Sequence, residues 1–196
     1  MRKTIVVIGI IILVGLILIV PTITSYNKLV KLNQQVKSSW AQVENVYQRR
    51  LNLIPNLVST VKGEANFEKS TLTAVIEARA KATQVTIDPT KMTEEKMAQF
   101  QAAQGQVSSA LGRLLVSVEQ YPQLKANQGF RDLAATLEGT ENRIATEIRT
   151  FNEVTTLYNN KVLSFPSNIM ASMFGFKEKP YFKAEAEAAK APSVQF

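Results

Sequence analysis

The chain has 196 residues, a net charge of +7, no cysteine and no histidine. This length allows one domain plus an anchor, and the missing cysteine excludes disulfides, thiolate nucleophiles, iron–sulfur clusters and lipid-modified cysteine. The missing histidine removes the commonest general base, the Ser-His-Asp and Cys-His constellations, ordinary zinc sites and the Glu-x-x-His di-metal pattern of some four-helix bundles, so no catalytic residue, metal ligand or cofactor is assigned.

Met1-Arg2-Lys3 forms a short basic head. Residues 4–20 carry no charge and are dominated by Ile, Val and Leu; extension to Ile23 gives 20 residues, against the ~20 needed to cross ~30 Å of hydrocarbon as a helix. A soluble core helix is rarely apolar on every face over such a length, so contact with the lipid bilayer is predicted through residues 4–23. Pro21-Thr22-Ile23-Thr24-Ser25 offers no Ala-x-Ala cleavage site, which favours an uncleaved signal anchor over residues 1–25. Arg2 and Lys3 lie on one side of this span, and Lys28, Lys31 and Lys37 on the other. The positive-inside rule therefore does not choose an orientation. Without Arg2 and Lys3, 21 basic residues stand against 16 acidic ones. That mild excess, unclustered, suits anionic headgroups and gives no nucleic-acid partner.

The first bundle helix has its apolar positions at Val36, Trp40, Val43, Tyr47, Arg50, Ile54, Leu57 and Val61, with Leu29 and Leu32 extending the stripe backwards. The steps alternate four and three, the 3.5-residue period of a coiled-coil seam. Pro55 interrupts the seam and is expected to kink the helix, and Gly63 is a stop. A second helix over residues 67–83 sets Leu72, Val75, Ile76, Arg79 and Ala82 on one face. Asp88-Pro89-Thr90 is turn chemistry. Thr93 can then cap a third helix whose first turn holds Glu94 and Glu95. Its seam runs Met97, Phe100, Gln104, Val107, Leu111, Leu114, Val118 and Tyr121, and Pro122 ends it. In the fourth helix Phe130, Leu137, Ile144, Phe151, Tyr158 and Phe165 fall seven apart, with Ala134, Glu141, Ile148, Thr155 and Val162 between them, and Pro166 closes it.

The fold class that follows is all-α: an N-terminal transmembrane helix, then an antiparallel up-and-down four-helix bundle with long helices over residues 26–176. Residues 183–191 are Ala, Glu and Lys without an apolar face, so residues 177–196 are expected to be a flexible C-terminal tail. Trp40, Tyr47 and the phenylalanines, at helical spacing, read as core rather than as a ligand pocket.

Each helix also places one polar residue on its seam: Arg50, Arg79, Gln104 and Glu141. Arg50 lies 12 residues before Lys62, Arg79 12 after Phe67 and Glu141 12 after Gly129. At 1.5 Å per residue these three share a level about 18 Å from one end of the bundle. Glu141 is therefore expected to pair with Arg50, Arg79 or both, with Gln104 about one turn away. The other arrangement left open is that the long side chains snorkel to a solvated rim. A buried pair would fix helix register more than it adds stability.

Tyr26-Asn27, Trp40-Ala41-Gln42-Val43, Tyr47-Gln48-Arg49-Arg50, Leu53-Ile54-Pro55-Asn56-Leu57-Val58 and Thr60-Val61-Lys62-Gly63 together resemble the LemA family. Ala78-Arg79, residues 121–126 (Tyr-Pro-Gln-Leu-Lys-Ala), residues 140–145 (Thr-Glu-Asn-Arg-Ile-Ala) and Tyr158-Asn159 agree in order. The resemblance implies a bacterial, helical, membrane-anchored protein whose biochemical role is not established. Many such proteins carry a lipid-modified cysteine just before the Tyr-Asn pair, which places the bundle outside the cytoplasm. Here Ser25 stands near that place, so a transmembrane anchor replaces the lipid, with the N-terminus inside and the bundle outside. Phe151 sits where relatives often have Tyr before Asn152, which keeps the packing and removes a hydroxyl.

Three functions compete. The first is a scaffold or interaction protein of the cell envelope, partnered by a membrane or envelope protein. The second is a ligand-binding sensor or enzyme using the Arg/Glu cluster, which requires a cavity reaching that level from solvent. The third, membrane remodelling by an amphipathic helix, ranks last because the apolar stripes are consumed by the bundle.

Overall fold

The computed structural model describes residues 2–64 and 67–183, with the side chains of residues 2–8 and 10–19 outside the description. All regular structure among the described residues is helical: α1 (Arg2–Lys62), α2 (Lys69–Gln84), α3 (Glu94–Val118), α4 (Pro122–Ala126), α5 (Gln128–Leu163) and α6 (Ser167–Met173). The α1 backbone runs helical through the segment expected to span a membrane. Most of the side chains that define that segment, residues 4–8 and 10–19 of residues 4–23, lie outside the described residues. Among the described residues no helix is long and apolar enough to cross a membrane.

The four long helices alternate in direction. Trp40 of α1 meets Phe151 of α5 while Arg50, further along α1, meets Glu141, earlier on α5, so these two run antiparallel. Phe100 of α3 packs on Trp40 and Tyr47, and Gln104 and Ser108 reach Arg50, so α3 runs with α1. Phe67, just before α2, packs at a tilt on Tyr121, just after α3. The helix starts follow local chemistry. The Thr93 hydroxyl accepts the Lys96 N–H at 3.3 Å, and the Asn127 side chain accepts the Phe130 N–H at 3.1 Å, each satisfying a donor that the first turn leaves free. Pro122 begins α4 at a position where its missing N–H costs nothing.

The α1 seam residues from Leu29 to Val61, Arg50 included, are all buried. Two seam expectations need correction. On α2, Ala78 is buried and Ile76 is exposed, while Arg79 is only half-buried. On α5, Phe165 is 80% exposed, because the helix ends at Leu163 and Pro166 cannot continue it.

The core falls into two hydrophobic clusters. One holds Ile54, Leu57, Val61, Phe67, Val107, Leu114 and Leu137. The other, nearer the α1 N-terminus, holds Trp40, Tyr47, Phe100, Ile144, Phe151 and Phe182. Phe182 lies within the expected flexible tail, so residues 177–183 correct that expectation; residues 184–196 lie outside the described residues. The reversal that brings the segment back is a Schellman motif. Gly175 takes φ +72°, the Phe176 N–H bonds Ala171 O at 2.8 Å, and the Gly175 N–H bonds Ser172 O.

Candidate functional site

Arg50 stands at the boundary of the two clusters, between Tyr47 of one and Leu51 of the other. It is 1% exposed. A buried guanidinium must find partners for its five N–H donors, and here four are satisfied. Nη1 donates to Glu141 Oε1 at 2.8 Å and to Ser108 Oγ at 2.7 Å. Nη2 donates to Gln104 Oε1 at 2.7 Å and to the Gln104 carbonyl at 3.1 Å. Nε is buried without a hydrogen-bond partner, and the guanidinium carbon lies 5.0 Å from the Tyr47 ring centroid, within cation–π range. The Glu141 side chain is 43% exposed, so the pair joins a buried cation to a carboxylate that still touches water.

The structure thus brings together Arg50, Gln104 and Glu141, with Ser108 as an unanticipated fourth member. Arg79 is elsewhere. Its Nε donates to the Leu51 carbonyl at 2.9 Å. That carbonyl is the acceptor from which Pro55, four residues on, withholds the helical N–H. Arg79 therefore mends the α1 backbone instead of joining the ion pair.

A groove of about 640 Å³ opens between α3 and α5 at the Arg50 level, lined by Arg50, Gln104, Ser108, Glu141, Ile148 and Phe182 among others. The ion pair therefore borders solvent-accessible space. Among the described residues no group of three or more carboxylates is placed to hold a metal ion.

Phe182 and Lys183 build one end of this groove and close the 177–183 segment, whose anchors sequence reasoning missed. Asn152 donates Nδ2–H to the Phe182 carbonyl and accepts the Phe182 N–H, each at 3.0 Å. Asn159 does the same with Lys179, each bond at 2.8 Å. The spacing matches: seven helical residues rise about 10.5 Å, and three extended residues span about 10 Å. Between and beside these anchors, the Tyr158 hydroxyl donates to Lys177 O at 2.9 Å and the Gln101 amide to Lys183 O at 3.0 Å. Burial pushes the Tyr158 phenol up to about 12. Burial, and secondarily Lys37, holds the Lys179 ammonium below its usual value against the opposing pull of Asp88. Lys179 Nζ donates to Pro89 O at 3.2 Å. The overlooked signal was the pair of aromatic–Asn dipeptides, Phe151-Asn152 and Tyr158-Asn159, one heptad apart.

Comparison with known proteins adds a lineage. The model of the LemA family matches residues 39–196. The chain is 25% identical over 158 residues to Protein LemA of Metamycoplasma hominis, covering 81% of this chain and 68% of that protein. It is 27% identical over 186 residues to Magnetosome protein MamQ 2 of Paramagnetospirillum magneticum, covering 86% of this chain and 68% of that protein. Magnetosome protein MamQ of Magnetospirillum gryphiswaldense matches with the same identity and coverage.

Proposed function

The chain belongs to the LemA family, and on that premise we propose that it is a membrane-anchored helical scaffold of the bacterial cell envelope. Residues 4–23 cross the bilayer, the N-terminus lies inside, and the bundle stands outside the cytoplasm presenting its surface to a membrane or envelope protein. The observation that carries this reading is that α1 is one unbroken helix of 61 residues. Its first third by sequence is the apolar segment, and its remainder supplies a seam to the bundle. No loop separates the two, so the same helix carries the bundle directly above the lipid, as a scaffold requires. Relatives named as magnetosome proteins are in keeping with attachment to a membrane.

The test is crosslinking in native membranes, with the full chain carrying photoreactive residues at exposed positions along the rod. A discrete heterologous product, mapped to one face, is expected. Monomer at every position would overturn the scaffold reading.

The groove favours a second reading, a ligand-binding sensor at Arg50 and Glu141. Its walls combine the Arg50–Glu141 pair with Ile148 and Phe182, the mixed lining of small-molecule sites. Filling it with Ile148→Trp should abolish a sensor's function and leave a scaffold's crosslinks intact.

A further inference from the structure

Residues 163–176 contain no charged residue, and Lys161 and Lys177 flank them. They form the corner where α5 ends, α6 crosses and the chain turns back. α6 buries Ser167 and Ala171, one turn apart, against the bundle. The other side faces outward: Leu163, Phe165, Ile169, Met173 and Phe174 are each between 49% and 80% exposed. Ile169 and Met173 lie four residues apart on α6 and so share one side of it, and Phe165, just before that helix, is the most exposed of the five. Soluble surfaces expose single apolar side chains freely but seldom gather several large ones into one patch.

The corner sits at a particular height on α1. Phe174 packs on Tyr26 with ring centroids 4.8 Å apart, and Phe176 packs on the same ring at 5.9 Å. Tyr26 lies three residues beyond Ile23, the last residue of the apolar segment, which is about 4–5 Å along a helix. Ile23 and Val20 are themselves more than half exposed. The apolar corner is thus continuous with the apolar segment at the level where that segment would leave the hydrocarbon.

We infer that the α5–α6 corner is a second membrane contact, a monotopic wedge that seats Phe165, Ile169, Met173 and Phe174 in the headgroup–acyl boundary of the bilayer that α1 crosses. The inference rests on the reading of residues 4–23 as a membrane span. Interfacial elements of this kind bury an apolar face about 5–10 Å below the headgroups and hold cations at the rim. Lys161 and Lys177 are placed for that role, their stems along the apolar surface and their ammonium groups among lipid phosphates. Two contacts, one spanning and one lying on the surface, fix the bundle against rotation about α1 as well as against departure from the membrane.

The chain has no native cysteine, so single-cysteine variants can report each site in the full-length protein. An environment-sensitive fluorophore on Phe165→Cys or Met173→Cys, in nanodiscs of phosphatidylcholine and phosphatidylglycerol, should emit to the blue of the same label on Val116→Cys. Val116 is 71% exposed at the far end of α3. The corner labels should also be quenched several-fold more strongly by nitroxides placed high on the acyl chains. Val14→Cys reports the span independently. If Val14→Cys is quenched and the corner labels are not, the wedge is overturned and the anchor stands. Blue-shifted but unquenched corner labels would mean that protein, a second copy or a partner, covers the patch, and would also overturn it. If Val14→Cys is itself unquenched, the anchor reading falls and the wedge with it.

Discussion

Arg79 Nε lies 2.9 Å from the carbonyl oxygen of Leu51, the acceptor that Pro55 leaves without its helical donor. A proline inside a packed helix ordinarily costs a hydrogen bond and a kink. Here the neighbouring helix returns the bond, so α1 continues to Lys62 and presents Ile54, Leu57 and Val61 to the core beyond the proline. Arg79→Met should orphan that carbonyl and cost about 1–3 kcal/mol in denaturant unfolding. Pro55→Ala restores a backbone N–H, so in its background the same substitution should cost measurably less. Strict additivity of the two would contradict the repair.

Glu141→Gln tests the ion pair. It leaves the Arg50 cation buried with only neutral partners. Loss of a partner from a fully buried pair costs about 3–5 kcal/mol, and the exposure of Glu141 reduces this to about 1–3 kcal/mol. A lower melting temperature is expected, with the helical content of the folded state unchanged. Arg50→Ala should cost more than Glu141→Gln, because it also opens a cavity and strips Gln104 and Ser108 of their donor. An unchanged melting temperature in Glu141→Gln would show the pair to be energetically idle.

Hydrogen exchange reads the asparagine anchors. The amides of Lys179 and Phe182 should be protected in the native chain, since each donates to a carboxamide on α5. Asn152→Asp keeps an acceptor for the Phe182 N–H but sets a carboxylate against the Phe182 carbonyl. Protection should fall at Phe182 more than at Lys179. Phe182→Ala, which empties a site among Trp40, Phe100 and Phe151, should cost about 3–5 kcal/mol.

Tyr158 gives a pH dependence of known sign. Its folded pKa is raised from 10.0 to about 12 because burial disfavours the phenolate. Its contribution to stability is therefore complete below pH 10 and is lost as pH rises from 10 towards about 12. Melting curves across that window should fall more steeply for the native chain than for Tyr158→Phe, which has no proton to lose. Parallel curves would place the phenol in water.

Much of the bundle was legible because a seam is a local property: Val36, Trp40, Val43 and Tyr47 announce their face whatever packs on it. Helix directions followed from short links. The level of Arg50 and Glu141 followed from counting residues, since helical rise is fixed. Arg79 was misplaced because α2 can rotate by about one residue and put Ala78 on the seam, and nothing local forbids it. The 177–183 segment was harder to read for a different reason. Its order comes from Asn152 and Asn159 of α5 bonding its backbone, so only the α5 half of each contact is marked in the sequence. Phe165 looked like a further heptad position until the end of α5 at Leu163 turned it outward. The groove between α3 and α5 depends on side-chain volumes across two helices, which periodicity does not report.

The central claim is that α1 is at once the anchor and a wall of the bundle, and alkaline extraction of membranes from cells making the full chain tests it most directly. The full chain should stay with the lipid pellet, while a variant lacking residues 2–23, held by the corner alone, should pass into the supernatant with its helices intact. Recovery of the full chain in the supernatant would contradict the account.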